Sequence, residues 1–221
     1  MIKLSKSIIP RYTYIPLLLA AAVNFIVYYF SDVLTKGRVF YDFSLAIDGV
    51  IPFLPIFVVF YVLAYAQWGI GYIVAAGESR EYYYRIITAD IVAKIICFAV
   101  FVIFPTHIVR PEITGTDVFS TLLSFIYSSD NPTKLIPSIH CLESWVCFRA
   151  SLSMKKLPSW YKIITLFFSV AVFLSTVFVK QHVVLDIPAG ILVFEAGLLI
   201  VKLTGIDSKL RSVFTRKPEK N

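Results

Sequence analysis

Apolar residues run along this chain in long, nearly unbroken blocks, and the polar residues fall between the blocks or cluster at their ends. A helix that crosses the hydrocarbon core of a bilayer needs about 20 predominantly apolar residues. Six blocks approach that length: residues 14–30, 51–75, 86–104, 136–153, 162–179 and 183–203. The first follows Lys3, Lys6 and Arg11, as the apolar stretch of a signal peptide would, but five more blocks come after it, which favours a retained first helix. Tyr and Trp collect where the blocks end, at Tyr12, Tyr14, Tyr28, Tyr29, Tyr82–Tyr84, Trp160 and Tyr161, as in interfacial belts. Residues 36–49, just after Asp32, mix Asp42 and Asp48 with aromatic residues and read as a segment lying on the membrane surface. Pro52 and Pro55 would bend or start the second span, residues 105–135 form a long polar loop, and the charged tail 205–221 reads as frayed.

Composition agrees with this pattern. Of 221 residues, 58% are hydrophobic and only 16% charged, and the mean hydropathy is +0.77. A soluble domain of this size has too little interior to hide so much apolar side chain. A cytosolic globular enzyme, a disordered chain and a disulfide scaffold are excluded; the expected fold is all-α, a polytopic six-transmembrane helical bundle forming one domain. Cys97, Cys141 and Cys147 all lie in apolar stretches and read as reduced packing residues.

The net charge of +7 then acquires a topological meaning. The N-terminus, the 76–85 loop, the 149–162 region and the tail from Lys202 carry 15 Lys and Arg, against five on the opposite side. The positive-inside rule places both termini in the cytoplasm. Nucleic acid is not an expected partner.

Ionisable residues near a membrane are functional candidates by default, and here they converge on the outer face. Arg110 lies just beyond the third block, Ser138 and His140 open the fourth, and Lys180, His182 and Asp186 bracket the turn into the sixth. His182 and Asp186 are four apart, on one face of a helix. The carboxylate can fix the ring tautomer and leave the other nitrogen free as a nucleophile. His140 can supply or remove a proton. Arg110, Lys180, the Ser138 hydroxyl and the N–H groups at a helix start suit a tetrahedral oxyanion. Each residue alone has a plainer role: histidine as a polar cap, Arg or Lys as a headgroup anchor, His182–Asp186 as a packing hydrogen bond. Phosphoryl transfer through a phosphohistidine uses all of them together. Elsewhere, Asp90 and Lys94 read as a neutralising pair. Glu143 could orient His140 or reach Lys94, and His107 could touch a headgroup. Arg149 and Glu195 lie toward the cytoplasm.

Three stretches carry a resemblance. Arg110-Pro111, Pro137-Ser-Ile-His140 and Ser175-Thr-Val-Phe-Val-Lys-Gln-His182-Val-Val-Leu-Asp186 resemble, in order, the K-x6-R-P, P-S-G-H and S-R-x5-H-x3-D motifs of the type 2 phosphatidic acid phosphatase superfamily. That superfamily holds lipid phosphate phosphatases and lipid phosphotransferases on a six-span core. Ile103 stands where its first motif has Lys, Ile139 where its second has Gly, and Thr176 where its third has Arg. The third stretch is similar to that of inositol phosphorylceramide synthase and its bacterial relatives, which transfer a phosphoryl headgroup to an alcohol. The resemblance implies His182 as nucleophile, Asp186 as its orienter, His140 as acid on the leaving group, and Ser138 and Arg110 on the phosphate. It implies no cofactor and no metal.

The expected activity is therefore hydrolysis of a phosphate ester or diphosphate on a lipid substrate within the bilayer, of the phosphatidic acid, phosphatidylglycerophosphate or polyprenyl diphosphate class. Transfer to an alcohol is the first alternative and a non-catalytic transporter or lipid-binding scaffold the second. A His/His/Asp metal site ranks last, since no HExxH pattern accompanies it. The expected location is a plasma membrane, bacterial in its compactness, with the active site at the outer leaflet.

Overall fold

The computed structural model describes residues 10–214; the basic residues Lys3 and Lys6 and the end of the tail, 215–221, lie outside the described residues. Among the described residues the regular structure is helical: α1 Tyr14–Thr35, α2 Ala46–Val50, α3 Val58–Glu78, α4 Arg80–Ile103, α5 Val118–Ser129, α6 Ile139–Ser153, α7 Ser159–Phe178, α8 Asp186–Thr204 and α9 Ile206–Val213. Five of these, α1, α3, α4, α7 and α8 with their flanking turns, are long and apolar enough to cross a membrane. The chain has the character of an integral membrane protein.

The fourth expected span differs. At 15 residues α6 is about 22 Å long, shorter than a hydrocarbon core. Its composition explains the difference: Glu143, Ser144 and Ser151 are buried among Cys141, Leu142, Val146, Cys147 and Ala150. Packed on α3, α7 and α8, α6 faces protein rather than lipid and needs no continuous apolar run. Gly71 lets α3 close on it, since a Cβ there would stand 2.5 Å from Cys147 Sγ.

Two segments expected to be irregular contain helix. The 105–135 loop holds α5, started by Asp117, whose carboxylate accepts from Phe119 N (2.9 Å) and Ser120 N (3.2 Å). The first part of the tail is α9, packed on α4 and paired to it through Arg85–Asp207 and Arg211–Glu81. Its turn from α8 passes through Gly205 in the left-handed region at φ 63°. The tyrosines at 82–84 also depart from a surface belt. Tyr83 and Tyr84 are buried in the core, and the Tyr83 hydroxyl donates to Thr13 O at 3.2 Å. Pro55 starts a single 3-10 turn before α3, so the second span begins as a helix at Val58 rather than at Ile51. The three cysteines are buried and free.

Midway along the bundle, Lys94 Nζ lies 2.9 Å from Asp90 Oδ2 and 2.6 Å from Glu143 Oε1, while the Tyr72 hydroxyl donates to Glu143 Oε2 at 2.8 Å. Glu143 therefore reaches Lys94 and is committed there, not to His140. Nearer one end, Arg149 pairs with Glu195 at 3.0 Å.

Candidate active site

The turn between α7 and α8 builds the centre. At Phe178 the helix stops, and Lys180 takes a left-handed conformation at φ 51°. That conformation is uncommon for a residue with a side chain and costs about 1–2 kcal/mol. It folds the chain back so that the buried Thr176 carbonyl receives both Gln181 N and His182 N at 3.0 Å. Thr176, at the position where the resembled motif has Arg, thus shapes the histidine's turn through its backbone. A second left-handed residue, Lys134 at φ 60°, sits next to Leu135, whose carbonyl meets the same histidine.

His182 Nδ1 lies 2.9 Å from Asp186 Oδ2 and 3.1 Å from Leu135 O. Both are acceptors without hydrogens, so Nδ1 carries the proton and Nε2 keeps its lone pair. Asp186 is fully buried, and the same Oδ2 also accepts Val183 N at 3.0 Å. The contact expected from the i, i+4 spacing is made, but not on one helix face: His182 lies in the non-helical turn and Asp186 is the first residue of α8.

His140 stands across from it, the two ring centroids 6.3 Å apart. It stacks on Tyr61 at 4.0 Å and meets the edges of Trp68 (5.1 Å) and Tyr65 (5.6 Å). Its Nε2 is buried without a partner. Gly190 on α8 permits this approach of α8 to the start of α6: a Cβ there would lie 2.7 Å from Ser138 O.

The two cations face a cavity of about 460 Å³ that also touches His182, Asp48 and Ser44. Arg110 is held by the α5 side: it donates to Asp130 O at 2.7 Å, Tyr127 O at 3.3 Å and the Gln181 side-chain carbonyl, and its guanidinium lies over the Tyr127 ring at 4.6 Å. Its Nε remains buried without a partner. Burial pulls Arg110 below the usual guanidinium range and pushes the Asp130 carboxyl above the usual carboxylate range, the latter opposed by His182 and Lys134. Lys180 donates to Ile51 O (2.7 Å) and Asp48 O (2.9 Å), which leaves one ammonium hydrogen. Asp48 also accepts Val184 N at 2.8 Å, so the 36–49 segment is strapped over the turn that carries His182.

Not every expected residue reaches the cavities. Ser138 is fully buried, lines neither of the two cavities that meet His182, and its hydroxyl accepts Cys141 N at 3.3 Å as the cap of α6. His107 is outside as well, packed edge-on to Phe40 at 6.2 Å. Ile103 is 57% exposed at the end of α4 and lines neither cavity. Conversely, Tyr61, Trp68, Asp48, Asp130 and Gln181 belong to the site and were not singled out from sequence. Tyr61 and Trp68, seven apart on one helix face, and Gln181 within the quoted third motif were the available signals. Among the described residues, no three of His, Cys, Asp and Glu form a metal-ligating group. No protein-family model matches the chain, and no curated protein or solved structure matches it.

Proposed function

We propose that this chain is a lipid phosphatase of the phosphohistidine type, embedded in the membrane as a six-span bundle in which the short, shielded α6 is the fourth span. The observation that carries the reading is the state of His182: Nδ1–H is locked by Asp186 and Leu135 O, and the ring touches a cavity that also holds Arg110 and Lys180. A nucleophilic nitrogen beside two cations is what attack on an anionic phosphorus centre requires. In the reaction, Nε2 bonds to phosphorus as the P–O bond to the lipid breaks. The leaving oxygen takes a proton from His140, and water, giving its proton back to His140, cleaves the P–N bond. The cations hold the non-bridging oxygens throughout. Motif order and the H-x3-D spacing support the same assignment. The substrate classes follow from the resemblance: phosphatidic acid, phosphatidylglycerophosphate or a polyprenyl diphosphate. The charge asymmetry supports cytoplasmic termini and an active site at the outer leaflet of a plasma membrane, and the compactness of the chain suits a bacterial one.

The test is phosphate release in detergent micelles from a panel of these lipids, with and without chelator, for the parent and His182→Ala. Release should survive chelation and fall by about 10³-fold or more in the variant, as expected when the covalent step is lost. Release that persists in His182→Ala sinks the reading.

A further inference from the structure

A third cavity, about 230 Å³, lies at the far end of the bundle from the histidines. His182 precedes the first residue of α8, whereas this cavity sits past its last, between α9 and the start of α4. Glu81, Tyr84 and Arg85 line it from α4, and Asp207, Ser208 and Arg211 from α9. In the orientation proposed above it lies at the inner leaflet. Ile206 and Val213, seven apart on α9, are exposed, as is Leu203 in the last turn of α8. This end of the chain therefore offers lipid tails an apolar edge next to a charged one.

The polar groups of this cavity are not used up on each other. Arg85 Nε stands 3.6 Å from Asp207 Oδ2, beyond hydrogen-bonding distance, and the Arg85 side chain is 54% exposed. Arg211 pairs with Glu81, whose side chain is 73% exposed. Exposed ion pairs of this kind contribute little to stability, and each leaves N–H groups and lone pairs over. Ser208 donates its hydroxyl to Gly205 O at 2.7 Å, so its oxygen is left to accept. Tyr84 is an independent observation. The residue is 1% exposed and belongs to the hydrophobic core, and its hydroxyl is buried with no partner. Buried hydroxyls are almost always hydrogen-bonded, so an unpaired one on a residue that lines a polar cavity points to a ligand.

We propose that this cavity binds the headgroup of a zwitterionic phospholipid with a primary ammonium, phosphatidylethanolamine, as a lipid that ties α9 to α4. The donors Arg85, Arg211 and Tyr84 take the phosphodiester, and the acceptors Glu81, Asp207 and Ser208 take the N–H groups of the ammonium. Charge selects this head over others. The lining carries two cations and two carboxylates, so a head bearing only negative charge would face Glu81 and Asp207 without compensation. A choline head has the right charges but no N–H to give to the acceptors. The site lies the length of α8, about 28 Å, from the turn that carries His182. The lipid held there is therefore not in reach of the histidine, and the proposal does not depend on phosphohistidine chemistry.

The full chain in uncharged detergent micelles is offered phosphatidylethanolamine, phosphatidylcholine or phosphatidylglycerol with identical acyl chains, and the lipid retained on the folded protein is counted by native mass spectrometry. The expected result is one tightly held phosphatidylethanolamine, with an apparent affinity about tenfold above that of either other lipid. Arg85→Gln and Tyr84→Phe should each remove most of that preference. Lys202→Gln, which changes a cation at the same end but outside the cavity, should leave it unchanged, as should His182→Ala. Tyr84→Phe also separates ligand from packing. Its hydroxyl has no partner within the protein, so the variant should melt no lower than the parent in detergent alone. The rise in midpoint that phosphatidylethanolamine gives the parent should shrink in the variant. Equal retention of the three lipids, a preference for phosphatidylglycerol, or a preference for phosphatidylethanolamine that ignores both Arg85→Gln and Tyr84→Phe overturns the proposal. So does a Tyr84→Phe protein that melts lower in detergent alone and keeps the full lipid effect, since the hydroxyl would then serve packing.

Discussion

Two clusters of buried polar residues lie in this bundle, and they are built in opposite ways. At mid-depth, Asp90, Lys94, Glu143 and Tyr72 close on one another through contacts of 2.6–2.9 Å, with Asp90 Oδ1 the one polar atom of the four residues left unpartnered. None of the four lines either cavity that reaches His182. At the other cluster, His182 and Asp186 are locked at 2.9 Å, but His140, Gln181, Asp130 and Arg110 each keep a polar atom unpartnered next to open volume. The first arrangement spends all but one carboxylate oxygen on joining α4, α6 and α3, and it borders no cavity that reaches His182. The second holds one histidine rigidly and leaves its surroundings unsatisfied, which is the condition of a site prepared for a ligand. Charge inside a membrane protein is therefore not by itself a sign of chemistry; what decides is whether the groups are used up on each other.

The comparison breaks most sharply at Lys94. Lys94→Met leaves Asp90 and Glu143 buried together without a cation, and removing one member of a buried charge network costs about 3–5 kcal/mol. Thermal unfolding in micelles should show that loss, while the triple change Asp90→Asn, Lys94→Met, Glu143→Gln should recover most of it. A Lys94→Met protein of parental stability that had lost its phosphate chemistry would mean the mid-depth cluster is functional after all.

A smaller effect sharpens the same contrast through two glycines seven apart on α8. At Gly190 a Cβ would stand 2.7 Å from Ser138 O, and at Gly197 it would stand 2.6 Å from Ala89 O. Both neighbours are backbone, so Gly190→Ala and Gly197→Ala should each destabilise by about 1–3 kcal/mol. Only the first displaces the start of α6, and with it His140 relative to His182. Gly190→Ala should therefore also lower turnover, measured on folded protein at a temperature well below both midpoints, whereas Gly197→Ala should leave it near parental.

Much of this was legible in the sequence because it depends on local spacing. Long apolar blocks give long helices, and the four-residue spacing keeps His182 and Asp186 within reach, although they meet across the turn that leads into α8 and not on a helix face. What escaped depends on packing across the bundle. The shortness of α6 follows from its burial on four neighbours, α3, α4, α7 and α8, a property its own residues do not announce. α5 was hidden because Ser-rich helices resemble loops in composition; its Asp117 cap and the apolar Phe119, Leu122, Leu123 and Ile126 at helical spacing were the local signals. Ser138 illustrates the converse: a hydroxyl in a suggestive motif is also an N-cap, and the cap is what it makes. Asp130 and Gln181 entered the site only because Arg110 folds back onto both.

The smallest expected effect concerns Asp130, the carboxylate that closes the site against α5. Burial raises its folded pKa above the ordinary 3.8, and the neighbouring His182 and Lys134 only partly oppose this. The folded chain therefore holds a proton there that the unfolded chain has already released. The stability this contributes is complete below the unfolded pKa and is lost as pH rises through the raised folded value. Asp130→Asn keeps the shape and removes the titration. As pH rises from the ordinary carboxyl range through the raised folded value, the parent midpoint should fall relative to that of the variant. The two curves should run parallel once the carboxylate is ionised. A variant whose midpoint tracks the parent across the whole range would place Asp130 in solvent contact, and the outer cluster would lose one of the unsatisfied groups that set it apart from the closed one at Lys94.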